Sequence, residues 1–317
     1  MKNYRNLVIF VVLLAILIIP VGRNHALANN WQPNGTNGFD QAPRIAIISA
    51  FGAELEAFKS QANIQKTVML NGRTVYIGTL AGHKVVMTLS GVSMVNAAMT
   101  TQAILDHFRI EKIVFSGIAG GVNPNLNIGD VVIPGQWAEY QENFFARETE
   151  PGVYTPPPWF QPILPNFGMM FPDTVSITTV NGPPDVGTEY LWFLADPEMV
   201  AVAQQVADEV VLDQCTPDDV CLSEPPIVKV DGNGVSGPTF VDNAEYRDYA
   251  WDTWTADALD MESAAVAHVA TVNGVPFIVF RSLSDLAGGG PGENEIGIFF
   301  ELAANNSAKV MTAFLNA

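Results

Sequence analysis

The sequence is poor in basic residues and in charge of either sign. Its 317 residues include 15 Lys and Arg against 33 Asp and Glu, a formal net charge of −18. Nucleic-acid phosphates repel so acidic a chain unless one face is locally basic, and no basic run occurs, so we expect no nucleic-acid partner. Only 15% of residues are charged while 48% are hydrophobic, which excludes a disordered chain and predicts a globular protein with a large core.

The chain also lacks the motifs of several enzyme classes. It has no GxSxG nucleophile elbow, no HExxH pair, and no His, Cys and carboxylate cluster at ligand spacing. Beyond the N-terminal segment, the histidines His83, His107 and His268 are scattered, and we interpret them as packing or surface residues. We therefore predict neither a metal ion nor a cofactor.

The first 28 residues have the composition of a secretory signal peptide. Lys2 and Arg5 precede an unbroken apolar run over 7–19, and the ALA stretch at 26–28 is a small-x-small cleavage site. An uncleaved anchor is the alternative, but a run of thirteen residues is shorter than the roughly 20 that cross a bilayer. We predict a signal peptide over 1–28, no membrane association after cleavage, and a secreted or periplasmic protein.

The two cysteines are close together in the stretch CTPDDVC. Cys215 and Cys221 are the only cysteines of the chain, and an exported protein can form disulfides. We predict a disulfide between them, with two free thiols as the alternative. Neither state makes them catalytic, because no His or carboxylate pattern accompanies them.

Buried strands alternate with helical patterns along most of the chain. After a leader over 29–43, rich in Asn, Gly and Pro, the apolar runs RIAIIS, KVVMTLS and KIVFSGIAGG are typical of buried parallel strands. The alternation predicts one α/β domain over 44–317 with a mostly parallel sheet. Between 136 and 226 the pattern weakens into an enlarged, Pro-rich region, which we interpret as loops around the one helix PEMVAVAQQVADEV.

Three glycines spell a GxGxxG pattern after the strand PIVKV. Gly232, Gly234 and Gly237 have the spacing of a dinucleotide fingerprint, which must open a helix at the pyrophosphate. Here PTFV follows, which is typical of extended chain. We interpret the glycines as a turn that approaches some other ligand.

Polar residues occur where several predicted strands end. Ligands of open α/β sheets bind at the carboxyl ends of strands, and these positions are Glu54, Ser90, Gly91, Asp260, Glu262, Arg281, Ser284 and Asp285. Taken singly, each carboxylate also has a structural explanation, as a first-turn helix acid for Glu54 and Glu262 or a turn former for Asp285.

Six segments together resemble a known family. They are IISAFGAELEAF, TLSGVSMVNAAMTTQAILDHF, VFSGIAGGVNPNLNIGDVVIP, SGPTFVD, LDMESAAVAHVA and FRSLSDLAG. In order and spacing they resemble the nucleoside phosphorylase superfamily, and within it the 5′-methylthioadenosine/S-adenosylhomocysteine nucleosidases. The resemblance runs from Arg44 to the C-terminus. It implies a single-domain, three-layer α/β/α fold with a central mixed, mostly parallel sheet, and a homodimer or higher homo-oligomer.

The resemblance implies an N-glycosidic hydrolase acting on a small adenine nucleoside. Asp285 would be the general acid that protonates the purine, held by Ser284, and Glu54 would activate the attacking water. The implied substrate-binding residues are Glu262 and Met261 at the ribose, Phe240 on the base, and Ser90, Gly91 and Arg281 on the sugar and nucleophile side. Plain core packing is the alternative for Met261 and Phe240.

Two other functions stay open. A phosphorylase needs positive charge for its nucleophile, and its relatives place an Arg after the first strand, where this chain has Glu54 and no Arg; water is therefore favoured. The stretches FVDNAEYR and LDMESAAVA also resemble those of plant vegetative and bark storage proteins, which are exported relatives. This resemblance suggests storage or nucleoside binding as the second alternative.

One departure from the nucleosidase pattern concerns the first of two neighbouring acids. The nucleosidases read Glu-Met-Glu where this chain has Asp260-Met261-Glu262, and the last, functional acid is intact.

Overall fold

The computed structural model describes residues 39–317, which contain six helices and eighteen strands. The predicted signal peptide and most of the predicted leader lie outside the described residues. The helices are α1 (Gly52–Lys59), α2 (Met94–His107), α3 (Pro197–Ala207), α4 (Ala244–Trp254), α5 (Ser263–Asn273) and α6 (Ile296–Asn316). The strands are β1 (Asp40–Ser49), β2 (Asn63–Leu70), β3 (Arg73–Leu80), β4 (His83–Leu89), β5 (Phe108–Gly121), β6 (Val131–Ile133), β7 (Gln136–Ala138), β8 (Asn143–Phe145), β9 (Arg147–Glu150), β10 (Val153–Thr155), β11 (Met170–Pro172), β12 (Val175–Ile177), β13 (Thr188–Tyr190), β14 (Phe193–Leu194), β15 (Val228–Val230), β16 (Asn233–Ser236), β17 (Ala256–Asp260) and β18 (Phe277–Asp285).

A twelve-stranded mixed sheet forms the centre of the fold. Its main path is β14-β7-β16-β17-β5-β1-β4-β3-β2, and β18, β6 and β15 branch from β5. The central pairs β4-β1, β1-β5 and β5-β18 are parallel, while β2-β3, β3-β4 and β5-β17 are antiparallel. The predicted α/β class with a mixed, mostly parallel central sheet is confirmed.

Helices cover both faces of this sheet. In β1, Ala46 and Ile48 join the core with α2 and α5, whereas Ile47 between them joins the core with α1, α3 and α6. Successive side chains of a strand point to opposite faces, so the middle of a strand that is buried on both faces is mostly apolar. This explains the unbroken apolar stretch IAII over 45–48 and gives the expected three layers.

The region over 136–226 differs from the sequence interpretation. The interpretation of this region as loops around a single helix was wrong, because eight short strands, β7 to β14, also lie there. β7 and β14 extend the main sheet, and the other six form three two-stranded sheets. Strands of two to four residues between Pro and Gly turns are too short to show a period of two, so the sequence pattern does not reveal them.

Three further features complete the fold. β1 begins at Asp40, four residues before the predicted domain start at Arg44, because Asp40 already pairs with Phe108 on β5. Cys215 and Cys221 form a disulfide that closes a loop between α3 and β15. Among residues 39–317, no helix is long and apolar enough to span a membrane.

The contact between β18 and α6 gives a test of the core. Phe280 is fully buried and its ring lies 5.3 Å from that of Phe314. We predict that Phe280→Ala lowers the free energy of unfolding by about 3–5 kcal/mol through the cavity it leaves. Phe145, 56% exposed, is the control, and Phe145→Ala should cost about 0.5 kcal/mol or less. Urea unfolding measures both, and equal losses would contradict this description of the core.

Candidate active site

One cavity lies where β1, β5, β17 and β18 end. Its volume is about 210 Å³, enough to enclose part of a small organic molecule. Residues from seven parts of the chain line it, namely Ala50, Phe51, Glu54, Val92, Ile118, Ala119, Gly120, Thr239, Phe240, Val241, Leu259, Asp260, Met261, Glu262, Ser284, Asp285 and Ile296. Four of these are carboxylates and none is Lys or Arg, so the cavity wall is acidic.

Glu54 enters the cavity from the first turn of α1. Its Oε2 accepts hydrogen bonds from the N–H groups of Ala50 (2.6 Å) and Phe51 (3.2 Å), and its Oε1 accepts one from the N–H of Ile118 (3.0 Å). Burial raises the pKa of Glu54, while Arg281 and these N–H groups act in the opposite direction. The carboxylate is thus fixed between the loop after β1 and the end of β5.

Arg281 lies beneath the cavity and contacts three carboxylates. It is fully buried; its Nε lies 2.7 Å from Asp260 Oδ2, its Nη2 3.5 Å from Glu262 Oε2, and its Nη1 3.7 Å from Glu54 Oε1. Its guanidinium also packs over the Phe115 ring at 4.4 Å. One cation therefore faces three acidic groups, and the cluster carries excess negative charge whenever all three are ionised.

The glycine at position 117 makes room for this cluster. A Cβ there would overlap both Nη1 of Arg281 and Oε1 of Glu54. Gly120, further along β5, lies close to Asp285 in the same way, since a Cβ would stand 3.3 Å from Oδ1. The glycines of the stretch SGIAGG thus allow the acidic side chains to approach the strand backbone.

Glu262 lies just before α5, and its Oε1 accepts a hydrogen bond from the Ser93 N–H at 2.8 Å. Burial raises its pKa to about 7; Arg281 lowers the pKa, and the charges of Asp260 and Glu54 raise it further. Glu262 therefore changes its charge close to neutral pH.

Asp285 ends β18, and its two oxygens have different surroundings. Oδ1 accepts hydrogen bonds from the Ala287 N–H (2.8 Å) and the Asn294 side-chain amide (3.4 Å), whereas Oδ2 accepts one from the Ser284 hydroxyl (3.0 Å). Burial raises the pKa of Asp285, and these three donors lower it. Because the N–H donors are fixed at Oδ1, a proton on this carboxyl belongs on Oδ2.

The structure brings most of the predicted site residues together, with three exceptions. Ser90 and Gly91 are not among the lining residues; the Ser90 carbonyl instead accepts hydrogen bonds from Arg73, and its hydroxyl bonds backbone carbonyls. Arg281 lies behind the cavity wall rather than on it. Phe240 is 51% exposed at the cavity, so core packing is wrong for this residue.

Some residues of the cavity wall were not predicted from the sequence. Phe51, Val92 and Ile296 add apolar surface, and no polar motif marks them in the sequence. Asn294, which contacts Asp285, also carries no signal beyond its place in the glycine-rich stretch after β18. Within residues 39–317, no group of three or more His, Cys, Asp or Glu is placed to hold a metal ion.

The GxGxxG glycines lie elsewhere. No helix opens after Gly237, as predicted: β16 lies within the glycine pattern, and the next helix, α4, begins only at Ala244. Cβ atoms at Gly234 and Gly237 would overlap the side chains of Trp137 and Gln141. These glycines therefore approach protein side chains, and the expected ligand approach was wrong.

The sequence profile of the Phosphorylase superfamily matches residues 44–316. The chain belongs to this superfamily. It is 28% identical over 273 residues to the 5′-methylthioadenosine/S-adenosylhomocysteine nucleosidase of Tolumonas auensis, covering 86% of this chain and 98% of that protein. It is 29% identical over 277 residues to the corresponding nucleosidase of Bacillus thuringiensis, covering 86% and 96%.

Solved structures of the superfamily share the fold. The 5′-methylthioadenosine/S-adenosylhomocysteine nucleosidase of Neisseria meningitidis, in complex with methylthio-immucillin-A, is 25% identical, with a TM-score of 0.63 over 86% of this chain and 98% of that chain. The futalosine hydrolase of Helicobacter pylori is 22% identical, with a TM-score of 0.63 over 86% and 97%. The second likeness concerns the fold alone.

The pKa of Glu262 predicts a pH dependence of stability. The pKa of this carboxyl rises from 4.5 to about 7 on folding, so the folded state binds the proton more tightly than the unfolded state does. The resulting stabilisation is complete below pH 4.5 and is lost as the pH rises through 7. We predict that Glu262→Gln gains stability relative to the wild type across this window, by up to about 3 kcal/mol. Urea unfolding at pH 4.5 to 8 measures the difference. A difference that is constant with pH would contradict the assignment.

Proposed function

We propose that this protein is a purine nucleosidase that hydrolyses the N-glycosidic bond of adenine nucleosides such as 5′-methylthioadenosine or S-adenosylhomocysteine. The observation that carries the proposal is the convergence of Glu54, Glu262 and Asp285 on one cavity of a Phosphorylase superfamily member. The names of the relatives from Tolumonas auensis and Bacillus thuringiensis support this reaction. So does the inhibitor complex of the Neisseria meningitidis nucleosidase.

Asp285 is the general acid of the proposed reaction. As the bond between the sugar carbon C1′ and the purine breaks, its electron pair passes to the purine, and N7 takes the proton from Asp285 Oδ2. The raised pKa of Asp285 favours the protonated form that this step needs. The Ser284 hydroxyl lies 3.0 Å from Oδ2 and 3.3 Å from the Ala119 carbonyl, so it can bond either the carboxylate or that carbonyl as the proton leaves.

Glu54 and Glu262 act on the sugar. Water attacks C1′ and its proton passes to Glu54, which must be ionised for this step. Burial raises the pKa of Glu54 above its ordinary value, and Arg281 and three backbone N–H groups act against that rise. The sugar carries positive charge as the bond breaks, and ionised Glu262 accepts hydrogen bonds from the ribose hydroxyls while its charge stabilises this cation. Met261 packs against the ribose and Phe240 stacks on the base in this arrangement.

Water fits the site better than phosphate as the nucleophile. The cavity wall carries Glu54, Asp260, Glu262 and Asp285 and no basic side chain. The nearby Arg281 is already paired with three of these carboxylates. A phosphate ion would meet uncompensated negative charge, which favours hydrolysis over phosphorolysis.

The proposal includes export and self-association. Export is supported by the composition of residues 1–28. A homodimer or higher oligomer is supported by the family resemblance and by three exposed apolar side chains. Val92 lies just before α2 and also lines the cavity, and Val95 and Met99 lie in the first two turns of α2.

Substitution of the two reacting carboxyls tests the roles assigned to them. We predict that Asp285→Asn and Glu54→Gln each lower kcat for adenine release from methylthioadenosine by about 10²–10⁴, since each removes one proton transfer. The exposed carboxylates Asp106 and Glu56 provide matched controls, and Asp106→Asn and Glu56→Gln should retain the wild-type kcat. Folded variants of Asp285 and Glu54 that keep the wild-type kcat would refute the mechanism.

The pH profile should show the ionisation of Glu262. Because the ionised form accepts the ribose hydroxyls and its pKa is about 7, we predict that kcat/KM falls as the pH drops below about 7. Burial raises the pKa of Glu54 in the same sense. Initial rates between pH 4.5 and 9 measure this acid limb, and a profile that is flat from pH 5 to 8 would be inconsistent with the proposal.

A further inference from the structure

Asp260 lines the cavity, yet its two oxygens are occupied by protein donors. Oδ1 accepts hydrogen bonds from the Ser236 hydroxyl (2.5 Å) and from the N–H groups of Ser263 (3.0 Å) and Glu262 (3.1 Å). Oδ2 accepts a hydrogen bond from the Ser263 hydroxyl and lies 2.7 Å from Arg281 Nε. A carboxylate offers about four acceptor positions, so none remains for a ribose hydroxyl.

The contact with Asp260 is the shortest ion pair of Arg281. Its Nε–Oδ2 separation is 2.7 Å, whereas the separations from Glu262 (3.5 Å) and Glu54 (3.7 Å) are longer. Nε donates its hydrogen bond to the Ser263 hydroxyl at 3.0 Å, and that hydroxyl donates in turn to Asp260 Oδ2. Nη2, which faces Glu262, has no hydrogen-bond partner. Asp260 therefore fixes the guanidinium, and the other two carboxylates share its charge at longer range.

We propose that Asp260 is a positioning residue, which holds Arg281 between Glu54 and Glu262 and orients the start of α5 without contacting the substrate. The shorter acid suits this role, because its oxygens reach the N–H groups two and three residues ahead while still facing Arg281. Only the catalytic part of this inference rests on the proposed nucleosidase function. The positions of the charges are independent of it.

The charges around Glu262 decide the sign of the effect. Three charged groups face it, Asp260 from β17, Arg281 from β18 and Glu54 from α1, and the Ser93 N–H before α2 adds a hydrogen bond. Neutralising Asp260 removes one negative neighbour and leaves the Arg281 charge to two carboxylates instead of three. Both changes favour the ionised form of Glu262, so its titration must move to lower pH.

Asp260→Asn is the test variant, with two comparison variants. We expect kcat/KM to fall about 10- to 100-fold as Arg281 and the carboxylates lose their exact placement, with the acid limb moved to lower pH. Asp260→Glu, which keeps the charge, should return the limb to the wild-type position and recover much of kcat/KM. Asp257 is an equally buried carboxylate of β17, paired with Lys229 away from the cavity, and Asp257→Asn should leave the limb unchanged.

A second readout needs no substrate. The difference in stability between Glu262 and the Glu262→Gln variant, followed with pH, reports the ionisation of Glu262. We expect its transition to lie at lower pH in the Asp260→Asn background than in the wild type. If the wild type releases no adenine, the proposed function fails, and this measurement still decides the positioning role.

Two results would overturn the inference. One is an Asp260→Asn variant whose acid limb and Glu262 transition coincide with those of the wild type. If this variant does not fold, Ser236→Ala takes its place, because it removes one hydrogen-bond donor from Asp260 Oδ1. Its control is Ser282→Ala, since Ser282 is a buried serine of β18 whose hydroxyl donates to the Gly129 carbonyl and not to Asp260. We expect kcat to fall several-fold in Ser236→Ala and to stay at the wild-type value in Ser282→Ala. The second result that would overturn the inference is an equal kcat in Ser236→Ala and Ser282→Ala.

Discussion

Arg281 carries a positive charge into the interior, and three carboxylates surround it. Removing charges from water is costly, and this cost is recovered only where the ions are closely paired and hydrogen-bonded. The pairing here is uneven, because one cation cannot neutralise Glu54, Asp260 and Glu262 together. Burial raises the pKa of Glu262 to about 7, and the negative charges of Asp260 and Glu54 act in the same direction, against Arg281. In the function we propose, the same cluster acts on the sugar and favours water over an anionic nucleophile.

The fold is arranged so that these groups can meet. Strands β1, β5, β17 and β18 end beside one another. Asp260 ends β17 and Asp285 ends β18, while Glu54 follows β1 in the first turn of α1. Gly117 leaves the space that Glu54 and Arg281 occupy. The hydroxyls of Ser236 and Ser263 support Asp260 from a neighbouring strand and helix. Buried polar groups of this kind stabilise a site only when nearly all of them are bonded.

Much of this architecture is predictable from the sequence. The stretches IAII and PFIVF are apolar at successive positions, as is typical of strands covered on both faces, so β1 and β18 are evident. The carboxylates Glu54, Glu262 and Asp285 stand in motifs that resemble a family, and they follow strands whose ends converge. In these cases, local pattern and long-range position agree.

Other features depend on information that the sequence pattern does not contain. The strands between 136 and 194 have two to four residues, so pairing partners rather than periodicity determine them. Ser90 lies at a strand end as predicted, but its bonds go to backbone carbonyls. The pairing of Asp260 with Arg281 depends on side-chain directions from two strands that are not adjacent in the sheet. Only the assembled fold determines which of several acids forms the closest ion pair with the Arg281 guanidinium.

The identity of the sugar product tests the account most directly. The wild-type protein is incubated with methylthioadenosine in phosphate buffer and in a phosphate-free buffer, and the sugar is identified by mass spectrometry. The acidic cavity predicts free methylthioribose in both buffers, formed at the same rate. Formation of methylthioribose 1-phosphate, or a requirement for phosphate, would contradict the central claim that this cluster of carboxylates directs water to the sugar.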